Sequence, residues 1–147
     1  MNDKLQSDLK AALLAGDKEK AETLRNIKSA FLYEAVRLGV KDQGLNDEQA
    51  QKVLAHEAKK RTEAIELYQK AGETERAAKE LKEKQLIEGY LPRQLSEQEI
   101  QAAITEEMVS YNAPSMADMG KIIGAVKSKL GAQADGATIA RLVKAAL

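Results

Sequence analysis

The sequence predicts an all-α protein built from two helical units. Three observations lead there. Hydrophobic residues make up 44% of the 147 residues but aromatics only 3%, while 31% are charged, a composition of helices rather than of a β-sandwich. Apolar residues recur at helical spacing, with no strand-like alternation, internal repeat or low-complexity tract. Glycines, prolines and capping residues punctuate those stretches where helices start and stop.

The elements follow in order. Leu5, Leu9, Ala12 and Leu13 recur at helical spacing, and Gly16 can close that helix. Asp17 can cap the next, which carries Leu24, Ile27, Phe31, Ala35 and Leu38 on one face and ends at Gly39. A polar loop follows over 39–46. Asn46 with Gln49 reads as a capping box for a long helix that runs to about Ala71, turns Ala50, Val53, Leu54, Ile65 and Tyr68 inward and stops at Gly72. Residues 75–88 have helical propensity but show no clear packing face.

"GYLPRQLSEQEI" marks the clearest boundary, because Pro92 disfavours helix at Leu91 and Ser96 with Glu99 forms a second capping box. The expected organisation is an amino-terminal four-helix unit over 1–90, a linker over 91–95 and a three-helix unit over 96–147. The first of these helices uses Ile100, Ala103, Ile104 and Met108. Pro114 ends that region, and Ser115 with Asp118 caps the second. Asp135 caps the third, which carries Ile139, Leu142, Val143 and Ala146.

Composition and motifs exclude much chemistry. The chain has no cysteine and equal numbers of basic and acidic residues, 23 of each. Thiolate metal sites and disulfides are therefore out, and no global field draws the molecule to nucleic acid. The amino terminus lacks the basic start and apolar run of a signal peptide, no apolar run is long enough to span a membrane, and the expected compartment is the cytoplasm. His56 is the single histidine. In "HEAKK" lysine stands where a helical zinc motif needs its second histidine, so His56 is expected to be an exposed bystander. No serine sits in a Gly-x-Ser-x-Gly turn, and neither the phosphate-loop nor the dinucleotide fingerprint is complete. Neither a catalytic residue, a cofactor nor a metal is expected.

Two groups of residues remain. Glu57 and Arg61 project onto the middle of the apolar stripe of their helix. Arg25 and Lys28 border the stripe of the preceding helix, with Glu34 on its other margin. Together Arg25, Glu34, Glu57 and Arg61 are expected to form a partly buried interhelical ion-pair network that fixes helix register. The second group lies in "ADMGKIIGAVKSKL". Interior glycine costs a helix about 1 kcal/mol against alanine, yet Gly120 and Gly124 sit one turn apart, with Ser128 extending the pattern. Either another helix packs tightly there, or a bulky polyanion approaches the backbone. Residues 116–147 carry Lys121, Lys127, Lys129, Arg141 and Lys144 against Asp118 and Asp135, a net charge of +3, which is a modest electrostatic footprint for nucleic acid.

"ADMGKIIGAVKSKL" followed by "ADGATIARLVKAAL" resembles the tail domain of the GatB/YqeY family. "YLPRQLSEQEI" and "LRNIKSAFLYEAVRLG" are similar to its free-standing YqeY-like members, so the resemblance spans essentially the whole chain. It implies a two-part all-helical fold with a GatB/YqeY-type tail domain. It also implies a tail that contacts the body of transfer RNA in a transfer-RNA-dependent amidotransferase. Carbon–nitrogen ligase activity with glutamine as amide donor is the assignment commonly attached to such proteins. The chain resembles the tail alone, with no kinase cradle and no serine–lysine amidase signature, so it is not expected to catalyse amidation by itself. Family members often carry Lys-Gly-Arg before Ala-Asp-Gly; here Gly131, Ala132 and Gln133 stand instead. The RNA-contact candidates are Gly120, Lys121 and Gly124 by resemblance, and Lys127, Lys129, Arg141 and Lys144 by charge and location. No aromatic residue lies between 112 and 147, so recognition would be of backbone and shape rather than by base stacking. The expected partners are transfer RNA and an amidotransferase or aminoacyl-tRNA synthetase. A protein–protein adaptor and a non-catalytic component of an amidotransferase complex are the alternatives.

Overall fold

The computed structural model describes residues 1–147 and contains helices but no strand. The chain divides into two compact units, Met1–Leu91 and Pro92–Leu147. The first holds α1 (Asn2–Leu14), α2 (Lys18–Arg37), α3 (Asp47–Lys70) and α4 (Thr74–Glu88). The second holds α5 (Glu97–Met108), α6 (Met119–Leu130) and α7 (Gly136–Ala146), with short 3-10 turns at Met116–Asp118 and Gly131–Gln133. No helix is long and apolar enough to cross a membrane.

Local chemistry sets the helix ends. The Asp17 side chain accepts from the Lys20 N–H at 3.1 Å. Asn46 and Gln49 satisfy each other's backbone N–H groups at 2.8 and 3.0 Å, as do Ser96 and Glu99 at 3.2 and 2.9 Å, so both capping boxes close reciprocally. Between α3 and α4 the chain reverses at Gly72, whose φ of +73° lies in the left-handed region that a Cβ disfavours.

The first core joins Leu5, Leu24, Ile27, Phe31, Leu54 and Ile87 from all four helices. Each such buried side chain contributes about 2 kcal/mol of transfer free energy. Leu13 and Leu38 lie outside it: Leu13 falls at the edge of the α1 stripe, Leu38 follows the last turn of α2, and both are exposed. Ile65 and Tyr68 are only half-buried. There the Arg76 guanidinium of α4 lies 6.0 Å from the Tyr68 ring centroid. The second core is Ile100 and Ile104 from α5, Ile122 and Val126 from α6, and Ile139 and Val143 from α7.

Of the residues read as linker, Leu91 packs against the first core. Residues 93–95 are fastened to the second unit instead. The Leu95 N–H donates to the Gln133 carbonyl at 2.8 Å, and Gln94 Nε2 to the Ala132 carbonyl at 2.9 Å. Gln133 returns a bond to the Arg93 carbonyl at 3.4 Å.

Candidate nucleic-acid interface

Helix α6 starts from the 3-10 turn, where the Ser115 N–H donates to the Asp118 carboxylate at 3.0 Å. It buries Ile122 and Val126. At 3.6 residues per turn the opposite face reads, from one edge to the other, Lys127, Gly120, Gly124, Ser128 and Lys121, all exposed. No atom lies within 4 Å of where a Cβ would stand on Gly120 or Gly124. That overturns the reading in which another helix packs tightly against these glycines. The third helix of the unit meets α6 through Ile122 and Val126 instead. The glycines leave a strip of bare helix backbone, with a lysine on each border.

The five predicted cations do not form one set. Lys121, Lys127 and Lys144 are exposed and take part in no ion pair. Lys129 falls on the other side of α6 and pairs with Glu106 of α5 at 3.3 Å. Arg141 is hydrogen-bonded to Glu97, also on α5. In this unit the glycine with a close neighbour is one the sequence does not single out for packing. A Cβ on Gly136 would meet Lys127 Cε at 2.8 Å and Nζ at 3.0 Å. Gly136 opens α7 behind Asp135, whose carboxylate accepts from the Thr138 N–H at 3.3 Å. Lys127 thus reaches from α6 over the first turn of α7.

The ion-pair group differs from expectation in two members. Arg25 is exposed and pairs with nothing, because its position turns away from the α2 core face. Glu34 is held on its own helix by Arg37, with bonds of 2.5 and 2.9 Å. The cluster that forms joins α3 to α4. Arg61 Nη1 donates to Glu57 at 2.6 Å, Lys60 reaches the same carboxylate at 3.1 Å, and Glu83 lies 3.4 Å from Arg61 Nε. Glu80 stands at 4.0 Å, and the buried Arg61 Nε has no well-formed hydrogen bond. Burial alone would raise the Glu57 pKa, but the bonds and charges of Lys60 and Arg61 together hold it below its ordinary range. Burial, reinforced by Glu80, pushes Glu83 upward, and Arg61 offsets this only in part. Beside this cluster an open groove of about 780 Å³ runs between α2 and α3, lined by Ser29, Tyr33, Val53 and His56 among others. His56 is exposed, and no group of three histidine, aspartate or glutamate side chains is disposed to hold a metal ion.

The fold and this surface define an all-helical protein whose carboxy-terminal unit presents bare helix backbone between unpaired lysines. The chain belongs to the YqeY-like protein family, whose model matches residues 2–147. No curated protein matches it as a relative.

Proposed function

We propose that the chain is an accessory protein that binds transfer RNA through its carboxy-terminal unit, with no chemistry of its own. The observation that carries this reading is the exposed face of α6. Gly120 and Gly124 are unobstructed and lie between Lys121 and Lys127, neither of which has an acidic partner. A phosphate backbone needs close approach and uncommitted cations, and this face offers both. With no aromatic residue in this segment, the surface suits the shape and backbone of folded RNA better than splayed bases. The resemblance of the segment to the GatB tail is what names transfer RNA, and it suggests service to an amidotransferase or aminoacyl-tRNA synthetase.

The adaptor reading has its own observation: α2 exposes Leu32, Tyr33 and Val36 on consecutive turns, a surface that a protein partner could cover.

Titration of unfractionated transfer RNA with the full chain across a salt series tests the proposal. The three free cations alone predict a log–log slope of about −2 to −3, steeper where Arg141 and Lys129 also reach phosphate, and Lys121→Glu/Lys127→Glu should abolish binding while leaving the helical content intact. Absence of binding at low salt would overturn the reading in favour of the adaptor.

A further inference from the structure

Helix α5 restrains cations that lie off the bare face of α6. Two of the five cations are held by carboxylates at opposite ends of that helix: Arg141 by Glu97 in its first turn, and Lys129 by Glu106 near its end. Nine residues separate the two acids, so they stand about 13 Å apart along the helix axis. A third acid, Glu107, sits next to Glu106 and pairs with nothing. Both pairs are exposed, with side chains roughly half to three-quarters accessible. Pairs of this kind are weak and salt-sensitive. They therefore yield to a better-placed anion without disturbing the core.

Resting on the transfer-RNA reading, we propose that Glu97 and Glu106 are selectivity-determining residues that act as built-in competitors of phosphate. A flexible or poorly matched polyanion meets only Lys121, Lys127 and Lys144. A folded RNA whose phosphates reach Arg141 and Lys129 displaces both carboxylates and gains two further contacts. The device raises specificity by weakening binding to the wrong ligand, in the manner of negative selection at other charged interfaces. Within Pro92–Leu147, which carries six acids and six cations, Glu97 and Glu106 face Arg141 and Lys129, and Glu99 holds Arg93 at 3.2 Å.

The test compares the full-length wild type, Glu97→Gln/Glu106→Gln and the control Glu107→Gln, each titrated with unfractionated transfer RNA and with poly(U) across a salt series. Circular dichroism confirms that each variant retains its helices. The double variant should bind poly(U) roughly tenfold more tightly at about 0.1 M salt, with the slope steeper by about 1.5. Its transfer-RNA affinity should rise less, so that the ratio between the two ligands falls. Glu107→Gln removes a neighbouring charge without freeing a cation and should leave both slopes unchanged. If the wild type binds transfer RNA but the double variant behaves like the wild type or like Glu107→Gln, the competitor role is overturned while the binding reading stands. If neither protein binds transfer RNA at low salt, the binding reading fails and this one with it.

Discussion

Lys127 lies over Gly136 so closely that a methyl group on that glycine would fall 2.8 Å from its Cε. The contact places an ammonium at the first turn of α7, the positive end of that helix, with no carboxylate paired to it. Such a cation has no ion-pair partner in the free protein, and on the proposed reading it is available to phosphate.

Gly136→Ala should therefore separate position from stability. The obstacle is the tip of a flexible side chain, so Lys127 swings aside and the fold keeps its stability within about 0.5 kcal/mol. The displaced ammonium should weaken transfer-RNA binding several-fold and flatten the salt slope by about 0.8, the share of one phosphate contact. Thermal melts beside the salt titration measure both. A substantial fall in melting temperature would mean that Gly136 serves packing.

Gly120→Ala and Gly124→Ala test the bare face of α6. Each site is helical, exposed and open, so alanine should stabilise the unit by about 1 kcal/mol per site. Tight packing against another helix would give the opposite sign. Ligand approach to the backbone predicts weaker transfer-RNA binding in the same variants. Stability rising while affinity falls is the expected signature, and unchanged affinity would remove the glycines from the interface.

The sequence made the helices legible because each carries a local signal. Asn46 with Gln49 and Ser96 with Glu99 are reciprocal caps whose partners lie three residues apart. Helix α4 carries a weaker signal. Between its buried Ala77 and Ile87, the inward positions are Glu80 and Glu83, which face Arg61. Charged residues on the packing face hide an apolar period, and so the same two residues were missed as partners of Arg61. The one available signal was an inward arginine on α3 that needed more than one counter-charge. For a related reason the sequence does not place Arg25 and Glu34. Both flank an apolar stripe, and only the tertiary structure decides that Arg37, three residues from Glu34 on the same helix, captures it. At Gly120 and Gly124 the pattern alone fits either packing or approach, and only the empty space above them separates the two.

Arg61 should matter to stability and not to RNA. Its side chain is 13% exposed and it is the cation that faces Glu57, Glu80 and Glu83 together. Arg61→Leu leaves those carboxylates facing one another in a poorly hydrated place, and the expected loss is about 3 kcal/mol. Urea denaturation would measure it. Transfer-RNA affinity of the folded fraction should stay at the wild-type value, and a normally stable variant with lost binding would overturn the structural role.

Glu83 gives the cluster a pH dependence of defined sign. Burial first, and then the neighbouring Glu80, raise its pKa above the ordinary 4.5. The native state thus holds this proton more tightly than the unfolded chain. The associated stability is present below pH 4.5 and is lost as pH rises through the higher native value. Glu57 has the opposite sign. Its pKa is lowered, so its contribution is present above 4.5 and disappears as pH falls through the native value. Glu83→Gln keeps an acceptor toward Arg61 and removes the ionisation. It should leave stability at pH 4.5 almost unchanged, and it should match or exceed the wild type at pH 7, flattening the upper limb of the profile. Urea midpoints at half-unit pH steps measure the difference. A variant less stable than wild type at pH 7 but equal to it at pH 4.5 would show that the ionised Glu83 carboxylate gains more from Arg61 than it loses to burial and Glu80.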